Sequence, residues 1–230
     1  MSAEHRLAAV VFDVLGTVVD EPAGIERGIR AALPGAGGED VRHLLDVWTT
    51  HVESEQERIR AGERPFAGST ALTREAAARV AAEAGVDDPA QVRLLARAGE
   101  ELDPWADSAP ALARIASSFP VVALSNASRR ALTRIDARAG LSWHRVLSAD
   151  DVAAYKPDPR TYRLAAESVG CGPGRLLMVA AHAWDLRGAQ AVGMRTAYVE
   201  RPVGDPPASA DRFDLRAPSL AALADVLVPS

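Results

Sequence analysis

The side chains best suited to covalent chemistry in this chain fall in four short stretches. Asp13 ends the apolar run of VVFDVLGTVVD, and Ser125 and Asn126 end that of VVALSNAS. Lys156 lies in AAYKPDPRTY and Asp185 in MVAAHAWDLRGA. A carboxylate held at a strand end can attack an electrophilic carbon or phosphorus and form an ester, which splits one hard step into two easier ones. Such a carboxylate must stay ionised, and a nearby ammonium favours the charged form. Lys156 would do this for Asp13 while neutralising a substrate anion. Asp185 would anchor Lys156 and orient the water that hydrolyses the ester. Ser125 and Asn126 offer short donors at a strand-to-helix junction, where free backbone N–H groups also suit an anionic group. Thr17 would position Asp13 by hydrogen bonding.

Each of these residues also has a purely structural reading. Asp13 before Gly16-Thr17 could be a turn aspartate. Ser125-Asn126 and Asp185 could cap the helices that follow them, and Lys156 before Pro157 could be surface charge. Spacing alone leaves these alternatives open. It is the agreement of all four stretches, each just after an apolar run, that favours a site.

The elements that must position them can be read from periodicity. Five continuous aliphatic runs, Ala8–Phe12, Val121–Leu124, Arg145–Ser148, Leu176–Val179 and Thr196–Val199, fit strands buried on both faces of a parallel sheet. Helical patterns follow three of them, at Ala127–Ala139, Pro159–Val169 and Trp184–Val192. Pro159 at a start and Gly140, Gly170 and Gly193 just past the ends supply the punctuation. Alternating strands and helices predict an α/β fold with a doubly wound parallel sheet. Between Asp20 and Pro104 no strand-like run occurs. Val41, Leu44, Leu45, Trp48, Val52 and Ile59 keep helical spacing, as do Leu72, Ala76, Val80 and Ala84, and then Val92, Leu95 and Leu102. The expected organisation is an α/β core of residues 1–20 and 104–230, with a helical cap, 21–103, inserted after the first strand. Ligands of open α/β sheets bind beyond the carboxyl ends of the strands, so the cap would lie over the site.

Bulk properties narrow the partners. A net charge of -5 argues against nucleic acid, which needs a cationic face. No apolar run is long enough for a membrane span or a signal core, so a cytoplasmic protein without membrane contact is expected. The single cysteine, Cys171, cannot form an internal disulfide and reads as a bland thiol. His5, His43, His51 and His144 are scattered without metal spacing. Arg201–Ala210, rich in Pro, Gly and Ala, reads as a loop.

The four stretches together resemble the haloacid dehalogenase (HAD) superfamily, and most closely its L-2-haloacid dehalogenases. Asp13 with Gly16 and Thr17 is similar to the first motif, Ser125-Asn126 to the second, Lys156 to the third and Asp185 to the fourth. The resemblance runs over nearly the whole core and rests on LSNAS, YKPDPRTY and HAWD. It implies Asp13, Lys156 and Asp185 as catalytic residues, and Thr17, Ser125, Asn126, Tyr162 and His182 as substrate-binding ones. Tyr162 could equally be packing, and His182 a hydrogen-bonded structural residue. Trp48 and Trp184 read as packing residues near the cleft between cap and core.

Within that superfamily the fork is between phosphatase and dehalogenase. Phosphatases carry a second Asp two residues after the nucleophile, where this chain has Leu15. They also carry a paired acid for Mg²⁺, where it has Ala181. Halide leaves without a proton, and displacement at carbon needs no metal. No metal and no cofactor are therefore expected, and the expected activity is that of an (S)-2-haloacid dehalogenase. A HAD hydrolase acting on another small anion, such as a phosphate ester, or a weakly active HAD-like binding protein are the alternatives. The dehalogenase pattern has a tyrosine where this chain has Leu15, and an arginine after the cap tryptophan where it has Thr49. It has a serine and an asparagine at the positions of Ala180 and His182. Arg58, Arg60 or Arg64 are the candidates for the missing cation. Expected partners are a small anionic substrate and, at most, a second copy of the chain as a homodimer.

Overall fold

The computed structural model describes residues 6–228; His5 lies outside them. The chain opens with β1 (Ala9–Phe12) and β2 (Val19–Asp20), followed by α1 (Glu21–Ala32), α2 (Gly38–Arg60), α3 (Ser69–Glu83) and α4 (Pro89–Leu95). It returns through β3 (Asp103–Pro104), α5 (Ser108–Ala116), β4 (Val121–Ser125), α6 (Arg129–Ala139) and β5 (Arg145–Ser148). It ends with α7 (Pro159–Val169), β6 (Leu176–Ala180), α8 (Ala183–Ala191), β7 (Arg195–Val199), β8 (Leu215–Ala217) and α9 (Leu220–Leu227).

Six strands form one parallel sheet in the order β5-β4-β1-β6-β7-β8. Successive strand residues point to opposite faces, and both faces are covered. Val10, Phe12, Ala123, Val179 and Val199 pack with α5, α6 and α9, while Val11, Leu124, Met178 and Tyr198 pack with α7 and α8. The expected doubly wound fold is therefore present, and all five strand runs and three helical patterns lie within two residues of their observed bounds. A sixth strand, β8, has only three residues and no aliphatic run to announce it. Pairing with β7 creates it. β1 lies between β4 and β6, so the chain reverses its direction of sheet growth there, and the crevice at such a switch point receives ligands. Asp13 is the residue at that point, and its backbone N–H still donates to Val179 O at 2.9 Å.

The segment from 21 to 102 is helical, and an antiparallel two-residue ribbon joins its ends, Val19 opposite Pro104 and Asp20 opposite Asp103. α1 has no counterpart among the helices expected from spacing, because Pro22, Gly24 and Gly28 break its pattern. It forms with Pro22 in its first turn and Asp20 capping it, and buries Ile25 and Ile29 against Leu44, Trp48, Ala77 and Val80 of α2 and α3. Direct hydrogen bonds tie this helical insert to the loops beyond the sheet's carboxyl ends. Asn126 Nδ2 donates to Gln56 Oε1 at 3.4 Å, Arg60 to Lys156 O at 3.4 Å, Thr70 Oγ1 to Ser128 Oγ at 3.0 Å, and Tyr155 OH to Ala67 O at 2.7 Å. Among the described residues no helix is long and apolar enough to cross a membrane.

One helix approach sets the depth of the site. A Cβ on Gly188 would stand 2.4 Å from Tyr162 OH and 2.7 Å from Pro157 Cβ, so only glycine lets α8 lie this close to α7. Gly188→Ala is expected to destabilise the fold by about 1–3 kcal/mol through overpacking, despite the better helix propensity of alanine. Because the displaced group is the Tyr162 hydroxyl, activity should fall as well. Urea unfolding and a rate assay on the same preparation check both.

Candidate active site

Asp13 is nearly buried, and both of its carboxylate oxygens are held. Lys156 Nζ donates to Oδ1 at 2.8 Å and Thr17 Oγ1 to Oδ2 at 2.6 Å. Thr17 is itself fixed by Ala181 N, which donates to its hydroxyl oxygen at 2.9 Å. Lys156 donates again to Asp185 Oδ2 at 2.7 Å, and Tyr162 OH closes the array by donating to Asp185 Oδ1 at 2.7 Å. Lys156 and Asp185 have relative exposures of 1% and 0%, so this ammonium lies out of solvent between two carboxylates. Burial works against its charge, but Asp13 and Asp185 outweigh that and raise its pKa above the usual lysine value. Burial raises the pKa of Asp185, with Lys156 pulling the other way. Burial and the adjacent Asp185 raise that of the Tyr162 hydroxyl, which stays a donor. A buried lysine bonded to two carboxylates does not fit the surface-charge reading, and the helix cap falls to other residues. Ser128 caps α6, and Asp185 spends its oxygens on Lys156 and Tyr162.

The loop that carries Asp13 is held by its carbonyl oxygens. Those of Leu15, Gly16 and Thr17 accept in turn from His182 Nε2 (3.2 Å), Trp105 Nε1 (3.2 Å) and Arg201 Nε (2.9 Å). Gly16 has φ +75, and a Cβ there would lie 2.5 Å from His182 Nε2, so the glycine both makes the turn and admits the imidazole. His182 Nδ1 meets Asp205 Oδ2 at 2.6 Å. Both ring nitrogens thus face acceptors that carry no hydrogen, which requires the doubly protonated ring. Burial lowers the pKa of His182, but the Asp205 hydrogen bond and the charges of Asp13, Asp205 and Asp185 lift it to about 9. Asp205 also accepts from Trp184 Nε1 at 3.1 Å. Arg201 pairs with Asp107 at 2.8 Å and lies over the Trp105 ring, 5.4 Å from its centroid.

Several expected binders bond protein groups in this structure. Tyr162 is wholly buried behind Asp185, His182 gives both nitrogens to protein acceptors, and Thr17 bonds the Asp13 carboxylate. All three hold protein groups around Asp13 and Asp185, which for Thr17 is the hydrogen bond expected from the sequence. Asn126 is half-buried, and its Oδ1 accepts from Lys156 N at 2.9 Å while its amide faces Gln56. Ser125 Oγ accepts from Ala127 N at 3.1 Å. Trp48 packs among α1–α3 and is not at the cleft. Trp105, Arg201 and Asp205 escape a reading of the sequence because a turn and a loop rich in Pro and Gly carry them. Only pairing of distant carbonyls reveals them.

One face of α2 looks toward the core. Gln56 and Arg60, four apart, both reach core residues, and Glu53 and Thr49 continue that face toward the N-terminus. Of the three arginines considered as the missing cation, Arg58 is held by Glu55, and Arg64 by Glu55 and Glu75. Arg60 is paired with Glu57 and touches the Lys156 carbonyl. Glu21, half-buried at the start of α1, joins this acidic side. Burial raises its pKa to about 7; the His182 charge lowers it, and Asp13 and Glu53 raise it. Among the described residues no group of three or more His, Cys, Asp or Glu is arranged to hold a metal ion.

The sequence profile of haloacid dehalogenase-like hydrolases matches residues 7–193. This chain belongs to that family. An (S)-2-haloacid dehalogenase of Xanthobacter autotrophicus is 32% identical over 198 residues, which cover 85% of this chain and 76% of that protein. The crystal structure of an L-2-haloacid dehalogenase superposes with a TM-score of 0.88 at 29% identity, covering 97% of this chain and 100% of the other. A structure of the Xanthobacter autotrophicus L-2-haloacid dehalogenase with chloropropionic acid covalently bound superposes at 0.81 and 26% identity, covering 96% and 98%. In this HAD-like hydrolase the loop that carries Asp13 follows the central strand β1, and the His182 ring closes one side of it.

That imidazolium has a pH signature. The unfolded His182 titrates near about 6.5 and the folded one near 9, so folding favours the protonated ring. Its stabilising contribution is complete below the lower value and is lost as pH rises through the upper one. Relative to His182→Asn, the native chain should lose stability between these two pH values, which urea titrations at several pH values would measure.

Proposed function

We propose that this HAD-like hydrolase is an (S)-2-haloacid dehalogenase in which Asp13 is the nucleophile. The arrangement of Asp13, Lys156 and Asp185 carries this reading, together with Leu15 and Ala181 at the two positions where a phosphatase needs carboxylates. An Asp13 oxygen attacks C2 of the haloacid in line with the carbon–halogen bond. The halide leaves with the bonding pair, and configuration at C2 inverts. Lys156 keeps Asp13 ionised and balances the substrate carboxylate, which Ser125 and Asn126 receive at the end of β4. Ester formation removes the Asp13 charge and leaves Asp185 as the remaining anion on Lys156. That pair then takes the proton from the water that attacks the ester carbonyl, and a 2-hydroxy acid is released. The step needs no metal, because neither the leaving group nor the electrophilic carbon calls for one.

The helical insert, 21–103, serves as the cap in this reading, over a core of 1–20 and 104–230. The lone Cys171, unpaired in the fold, fits a reducing cytoplasm. Glu21 and Glu53 on the cap side favour a haloacid whose far end is neutral or a hydrogen-bond donor over one bearing a second carboxylate.

A single turnover in ¹⁸O-labelled water should place label on the Asp13 carboxylate, not in the product. Asp13→Asn should lose several orders of magnitude in rate. Label in the first product with Asp13 unlabelled would mean direct attack by water. At the cap position after Trp48 the leaving halide meets only the Thr49 hydroxyl, in place of an arginine. Loss of one such donor costs about 10²–10³ in rate, so turnover of 2-chloropropionate should be slow, with bromide leaving much faster. Thr49→Arg should raise kcat/KM on chloroacids by about 10-fold or more. An unchanged value would show that Thr49 does not face the departing halide.

A further inference from the structure

A cavity of about 460 Å³ lies between the helical insert and the core, and neither Asp13, Lys156 nor Asp185 lines it. Its walls are α3, α4 and the first turn of α6, and they carry four arginines, Arg74, Arg93, Arg97 and Arg130, against one acid, Glu100. Glu100 is buried and already shared by Arg130 at 3.0 Å and Arg134 at 3.2 Å. Arg74, Arg93 and Arg97 make no ion pair among the described residues. Other surface arginines among the described residues also lack an ion pair, but these three converge on one concave wall. In an acidic chain of net charge -5, three unpaired guanidinium groups on a concave wall are a local reversal of sign. Hydroxyls of Ser69 and Thr73 add donors, and Leu94, 42% exposed, gives the cavity an apolar edge.

We propose that this groove binds a small organic polyanion, one with at least two phosphate or carboxylate groups, and that the bound anion links the insert to the core. Guanidinium forks match both anions in geometry and bind them through paired charge-assisted hydrogen bonds. The volume suits a metabolite-sized molecule. The link reaches the reactive groups by a short path. Thr70 Oγ1 donates to Ser128 Oγ across the groove floor, Ser128 caps α6, and Asn126, two residues earlier, accepts from Lys156 N. An anion drawing α3 and α4 toward α6 therefore sets the gap over Asp13. Binding stands apart from the dehalogenase reading; only its effect on turnover rests on it.

Calorimetric titration of the full chain with pyrophosphate and with citrate tests the site, and the two probes separate a phosphate from a carboxylate source. One or both should bind with unit stoichiometry. Arg93→Gln/Arg97→Gln should weaken that binding by about tenfold or more, and Arg74→Gln should weaken it as well. Arg42→Gln, an exposed arginine outside the groove, should not. Failure of both probes to bind, full affinity in the double variant, or equal loss in Arg42→Gln would overturn the proposal. At saturation the bound probe should change KM for 2-chloropropionate at least about twofold in the native chain and not in the double variant. An unchanged KM refutes the coupling, whereas binding without any haloacid turnover refutes the dehalogenase reading and leaves the site standing.

Discussion

The architecture around the site depends on one ammonium group held out of water. Lys156 is almost completely buried, and its charge is tolerable only because Asp13 and Asp185 meet it at hydrogen-bond distance from two sides. Removing either partner would leave an uncompensated buried charge, a change that typically costs about 3–5 kcal/mol. Much of the surrounding structure serves these three groups. β1 and β6 bring the carboxylates to the same end of the sheet, and Asn126 fixes the backbone of Lys156 from β4. Tyr162 fills the second acceptor of Asp185 from below, which is possible because Gly188 leaves it room.

The second constraint is rigidity of the nucleophile loop. Three consecutive carbonyl oxygens, each bound by a different donor from a different part of the chain, hold the turn after Asp13 at one angle. An in-line displacement depends on such placement, because a misdirected carboxylate loses the advantage of proximity. The imidazolium of His182 also contributes a positive charge beside Asp13. The family pattern has a neutral asparagine there, so this chain brings more positive charge to the core side of the cleft. On the cap side Thr49 stands where that pattern has an arginine.

What the sequence determined by itself was the fold and the reactive residues. Continuous aliphatic runs can bury only as central strands, and Asp13, Asn126, Lys156 and Asp185 follow such runs or their connecting loops, so a doubly wound sheet necessarily gathers them at one end. Local chemistry also marked the helix ends, through Pro159, Gly140 and Gly170. Tertiary structure decided the rest, since those outcomes depend on pairing over distance. β8 exists only because β7 offers it an edge. α1 is helical, despite a proline and two glycines, because its isoleucines have a core to enter. Tyr162 and His182 meet partners 23 and 167 residues away, the Asp185 carboxylate and the Leu15 carbonyl, which no local spacing announces. Arg201 and Asp205, in a segment that reads as plain loop, reach the nucleophile turn only when β7 delivers them there, and no spacing along the chain encodes that meeting.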